Sequence, residues 1–154
     1  MPRTRWLTPE EDRAWRRYRR MRTLLDLQLA RDLNRDSRLS EADYDVLSTL
    51  SESPDGQWRA GDLATRLLWS TSRLAHQVRR MEERGLVDRR ASADDGRGAV
   101  VALSPDGWST LRAAAAPHVD SVRQHFIGLL TATELRTLDR IAGKIVRHLG
   151  GSVG

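Results

Sequence analysis

Between residues 70 and 80 the chain carries Ser70, Thr71, Ser72, Arg73, His76, Gln77 and Arg80, and no carboxylate. These side chains suit a polyanionic duplex. Hydroxyls and the backbone N–H groups of a helix start fit phosphate oxygens. Arginine can pair bidentately with guanine, and glutamine with adenine. Glu82 and Glu83 arrive only at the far end of the segment. A merely solvated helix is the competing reading, but such a helix would mix its charge signs along its length. A second basic feature follows at Asp94-Asp95-Gly96-Arg97-Gly98. One arginine flanked by glycines makes a slim tip able to enter a minor groove, whose negative potential attracts it. Asp95 is placed to orient that guanidinium. Asp-Gly-Arg alone is a common turn; its place after the 70–84 segment is what makes it informative. Arg59, closing a short candidate strand at 57–59, is added to the set expected to face DNA.

The elements that must position these groups can be read from spacing and punctuation. Leu74, Val78 and Met81 recur at four and three residues, so 70–84 reads as a helix buried on that side, capped by Ser70–Ser72 and ended by Gly85. Leu63, Ala64, Leu67 and Leu68 give a shorter amphipathic helix over 60–68, and Trp69 sits in the turn between the two. Residues 86–90 and 100–103 read as two strands joined by a polar loop, a hairpin with a long tip. A helix, a tight turn, a second helix and a hairpin make a winged helix-turn-helix, in which the second helix enters the major groove.

Three further helices flank this unit. Thr8-Pro9-Glu10-Glu11 opens one that ends near Leu33, with Trp15, Tyr18, Met21, Leu25 and Leu29 along one face. The arginines crowding its other sides fit a solvated face, with a phosphate-facing or partner-facing role as the alternative. Ser40 and Asp43 form a capping-box variant that starts the next, stopped by Ser53-Pro54-Asp55-Gly56. After Ser104-Pro105-Asp106 comes a long apolar stripe from Trp108 to Leu129, interrupted by Pro117, where a kink or break is expected. Thr131-Ala132-Thr133-Glu134 caps a last helix with Leu135, Leu138, Ala142, Ile145 and Leu149 on one side. These outer stripes offer more apolar face than one small wing can cover. Pairing with a second copy would bury them; an intrachain core is the alternative.

Composition narrows the classes. The 154 residues carry a formal net charge of +5, which suits a nucleic acid or an anionic surface. Of 26 basic residues only Lys144 is lysine, so the bias also fits genome composition. With no cysteine there is no disulfide, thiol sensor, thiol nucleophile or Cys-type zinc site. The opening residues lack the apolar run of a signal peptide, and no stretch approaches the roughly 18 apolar residues of a membrane span. A cytoplasmic protein with no membrane partner is expected. No phosphate-cradling glycine loop, metal motif or nucleophile elbow points to an enzyme, and no cofactor or metal is expected.

Residues 63–107 resemble the MarR family of bacterial regulators. The likeness rests on Leu63-Ala64, Arg73, the run Arg84-Gly85-Leu86-Val87-Asp88-Arg89, then Asp95-Gly96-Arg97, and Val101-Ala102-Leu103-Ser104-Pro105-Asp106-Gly107. The flanking helices match the family's dimerisation region in placement. The resemblance implies a mainly α fold with a small β-hairpin wing. It implies a single domain over 1–154: a winged helix-turn-helix at about 40–104, with dimerisation helices at about 9–34 and 105–149. It further implies a homodimer on a pseudo-palindromic operator, Arg97 in a minor groove, and in many relatives a repressor released by a small aromatic ligand. Trp15, Trp58, Trp69 and Trp108 are candidates to line a pocket for such an effector, against ordinary packing. His118 and His125, seven apart, are poorly spaced for zinc; tuning of a pH response is the other reading. A protein-interaction module and a non-specific architectural DNA binder stay open as rivals.

Overall fold

In a computed structural model the chain is described over residues 4–92 and 98–151. The elements run α1 (Pro9–Ser37), α2 (Glu41–Ser51), β1 (Gln57–Arg59), α3 (Ala60–Leu67), α4 (Thr71–Glu83), β2 (Val87–Ala91), β3 (Ala99–Leu103), α5 (Pro105–His125), a 3-10 turn (Ile127–Leu129) and α6 (Ala132–His148). The architecture is mainly α with one small antiparallel sheet of order β1-β3-β2. Val87 faces Leu103 and Ala91 faces Ala99 across the hairpin, while Gln57 pairs with Ala102 on the other edge.

Helix starts fall where local capping chemistry places them. Ser40 accepts from the Asp43 N–H, and the Asp43 carboxylate accepts from the Ser40 N–H at 2.9 Å, a complete capping box. Thr131 and Glu134 repeat it at α6, and Thr8 with Glu11 at α1. Gly85 takes φ +74 after α4, the left-handed value a glycine C-terminus needs.

The chain divides into two compact units, 1–29 with 119–154, and 30–118. The 30–118 unit holds the hydrophobic core. Val46, Leu47 and Leu50 of α2, Leu63 of α3, Leu74, Val78 and Met81 of α4, and Val87 and Val101 of the sheet are all buried there. The other unit is different. Trp15, Tyr18 and Met21 of α1, Leu135, Ile141 and Ile145 of α6, and Leu149 just past its end are exposed.

Two features differ from the sequence reading. Helix α5 is not broken at Pro117; it continues to His125, and the interruption comes at Phe126, whose φ −141 and ψ −73 are not helical. A proline removes one backbone donor from a helix, and the turns on either side of Pro117 carry the helix through that loss. The apolar stripe from Trp108 to Leu129 therefore ends in a separate 3-10 turn.

Leu68, between α3 and α4, holds φ +56 and is 89% exposed. A left-handed conformation costs an L-residue roughly 1–2 kcal/mol, and an exposed side chain returns little packing. Leu68→Gly is expected to stabilise the fold by roughly 0.5–1 kcal/mol after glycine's greater unfolded-state entropy is deducted. Thermal denaturation checks this; a lower midpoint would mean that the leucine makes contacts worth more than the strain.

Candidate nucleic-acid interface

Helix α4 is capped by Ser70, whose side-chain oxygen accepts from the Arg73 N–H at 3.1 Å. The Ser70 and Ser72 hydroxyls lie 3.3 Å apart. Thr71, Ser72, Arg73, His76 and Arg80 are all exposed, as the apolar spacing of the helix requires. Arg79 is exposed on the same helix and enlarges this basic surface beyond the residues singled out from sequence. No acid interrupts it before Glu82.

Gln77 is a correction. It was expected on the exposed face, but it is buried, and its amide donates to Asp43 Oδ1 at 2.7 Å. A rotation of about 100° per residue puts Gln77 only about 40° from Met81, so it flanks the buried stripe. With its amide engaged inside the protein, it is not presented to a base edge.

Asp43 is the centre of a network that sequence reading recognised only as a cap. Its carboxylate accepts from Gln77 Nε2, from the Ser40 N–H and, at 2.7 Å, from Arg84 Nη1. Arg84 Nη2 also donates to the Arg38 carbonyl oxygen at 3.1 Å. Burial alone would raise the Asp43 carboxyl; hydrogen bonds from Arg84 and from the Ser40 N–H more than offset it and hold the group below its ordinary value. Helix α4 is thereby tied to α2 at Gln77 and, just past its last turn, at Arg84.

Arg73 lies over the ring of Trp69, 4.0 Å from guanidinium carbon to ring centroid. Asp45 of α2 belongs to the same neighbourhood. Burial holds its carboxyl above the ordinary carboxylate value, and the nearby Arg73 guanidinium offsets this only in part. The His118 ring packs on Tyr44 at 4.4 Å, and its Nδ1 is buried with no hydrogen-bond partner among the described residues.

Arg59 is exposed at the end of β1, where it pairs with Val100 and precedes α3. Arg89 and Arg90 project from β2; Arg90 donates to the Gln57 side chain, and Arg89 approaches Glu82 at 3.9 Å. Asp95 and Arg97 lie outside the described residues.

The tryptophans have separate neighbours. Trp58 donates its indole N–H to the Thr49 carbonyl at 3.1 Å and lies under Arg66. Trp108 packs on the core beneath Arg112, Trp69 carries Arg73, and Trp15 stacks on Tyr18. Among the described residues no helix is long and apolar enough to cross a membrane.

Residues 39–98 match the model of the MarR family. The transcriptional regulator HosA of Escherichia coli O127:H6 is 31% identical over 129 residues, 84% of this chain and 93% of HosA. AbsC of Streptomyces coelicolor, a MarR family transcriptional regulator of known structure, is 43% identical; the match covers 97% of this chain and all of AbsC, with a TM-score of 0.91. The chain belongs to the MarR family. It is a transcriptional regulator of that family and not an enzyme. Sco3205, another MarR family regulator of S. coelicolor, was solved in complex with DNA. It is 37% identical, with 99% of this chain and 95% of that chain covered and a TM-score of 0.92. The basic face of α4 thus belongs to the helix that follows the turn of a MarR helix-turn-helix.

Proposed function

We propose that this regulator acts as a homodimeric repressor that binds a pseudo-palindromic operator in the cytoplasm, with one α4 in the major groove per half-site. The observation that carries the reading is the α4 surface. Ser72, Arg73, His76, Arg79 and Arg80 are exposed together at the start and middle of one helix, free of acids. Hydroxyls near the helix N-terminus would hold phosphates, and the arginines would read or border bases. Arg97 is assigned to the minor groove on sequence grounds alone.

The dimer is supported by the apolar side chains left in water on α1, on α6 and at its C-terminal end, among them Ile145 at 51% and Leu149 at 76% exposure. A patch of this kind marks an interaction surface. A second copy would cover it and set two recognition helices about one helical turn of DNA apart. In this reading residues 40–104 form the DNA-binding part, and 9–34 with 105–149 the dimerisation part, of one functional domain. Release by a small aromatic effector is the family expectation. Trp15, Trp58, Trp69 and Trp108 are the residues proposed to line its pocket; Arg66 and Arg73 each lie over one face of Trp58 and Trp69.

Selection of bound sequences from a random duplex pool at two salt concentrations tests the proposal. Enrichment of an inverted repeat is expected. Retention without an enriched motif would mean an architectural binder, and no retention at low salt would mean a protein-interaction module. On the selected operator, Arg73→Ala is expected to cost about 1–3 kcal/mol, a loss of about 5- to 150-fold in affinity. Unchanged binding in a titration would remove Arg73 from the interface.

A further inference from the structure

We infer that Trp69 is the positioning residue for Arg73, a platform that presents the arginine's hydrogen-bonding edge to the operator. The inference rests on the DNA-binding reading above and extends it to a residue outside the recognition helix.

Three observations place the pair. Trp69 is half-buried against the core, which restricts its indole, and its backbone N–H donates to the Ala64 carbonyl at 2.9 Å, which fixes the backbone of the turn. The Arg73 backbone is fixed one turn later by the Ser70 cap. The guanidinium then lies 4.0 Å from the indole centroid, within the range of a cation–π contact. The chemistry of arginine makes this arrangement useful. Its π-face takes the stack, while its five N–H donors lie in the plane and point outward. Stacking and bidentate pairing therefore use different parts of one group and can coexist. An unstacked arginine would lose more rotamer freedom on binding; a stacked one has already lost it. Lysine at position 73 would keep the charge but has no planar face to stack.

A double-mutant cycle on the selected operator tests this. In the parent background Trp69→Leu, which keeps an apolar side chain against the core, should weaken binding about two- to fivefold. In the Arg73→Ala background the same change should have no further effect. Trp69→Phe, which restores an aromatic face, should recover most of the loss. A purely structural Trp69 would give the same loss in both backgrounds, and that result overturns the inference while leaving the DNA reading intact. If Arg73→Ala itself does not weaken binding, Arg73 is not part of the interface and the inference falls with that assignment. The unmutated protein supplies an independent measurement. The Arg73 side-chain proton resonances should be shifted upfield by the indole ring current, both free and on the operator. Loss of that shift in the complex would show that the stack is abandoned on binding and would overturn the inference.

Discussion

Gly107→Ala should destabilise the fold by about 3 kcal/mol, a fall of roughly 6–12 °C in the thermal midpoint for a chain of this size. The reason is a close approach of backbone to backbone. A Cβ on Gly107 would overlap the Leu86 carbonyl oxygen and lie 3.2 Å from Leu103 Cδ2. A side chain could swing away; this carbonyl is held. It accepts from the Ser104 N–H at 3.2 Å, and the Ser104 hydroxyl donates to the Gly85 carbonyl at 2.6 Å while accepting from the Gly107 N–H at 2.9 Å. One serine thus joins the end of α4, the start of β2 and the first turn of α5. Relieving the overlap requires moving α5 away from the base of the wing and breaking part of this junction. Unfolding followed by circular dichroism checks the figure; a midpoint within about 1 °C of the parent would show that the junction is more compliant than its hydrogen bonds suggest.

Asp43→Ala should cost a similar amount, about 3 kcal/mol. Loss of the Asp43 half of the α2 capping box contributes on the order of 1 kcal/mol. The Gln77 amide, buried and deprived of its acceptor, adds roughly 1–3 kcal/mol. Arg84 adds less, because its side chain is 43% exposed and water can replace the lost partner. Charge linkage gives a second signature. The Asp43 carboxyl ionises below its ordinary value in the folded protein, so the folded state favours the ionised form. That stabilisation is complete above the ordinary carboxylate pKa of about 4 and is lost as pH falls through the lower folded value. The gap in midpoint between parent and variant should therefore be widest near neutrality and narrow below about pH 4. A gap that is constant with pH would assign the effect to packing alone. Operator affinity should also fall in the variant, since Gln77 and Arg84 both bind α4 to α2 through this carboxylate.

Much of the fold was legible because its signals are local. Thr8, Ser40, Ser70 and Thr131 each precede a helix and satisfy its orphan N–H groups three residues on, a relation visible in the chain as written. Two short runs at 86–90 and 100–103 joined by a polar loop announced the hairpin, and Leu74, Val78 and Met81 identified the buried side of α4. The exposure of Arg73, His76 and Arg80 follows from the same periodicity. Pro117 is the exception among these local signals: of the kink or break it suggests, no break occurs, and α5 continues past it to His125.

What remained was decided by partners far apart in the chain. Gln77 looked like a base-reading side chain until Asp43, 34 residues earlier, was found to hold it. Arg84 reaches the same carboxylate across 41 residues, and Gly107 is required by the carbonyl of Leu86. Periodicity tells which side of a helix is apolar, because a helix turns by a known angle per residue. It does not tell how far a neighbouring element wraps around that side, and that wrapping sets whether a flanking polar residue meets water or a buried acid. The order of helices, strands and caps was therefore determined by the sequence itself. Which polar groups of α4 are spent inside the protein and which are left for a partner was decided only by the packing of α2, α4 and the base of the wing.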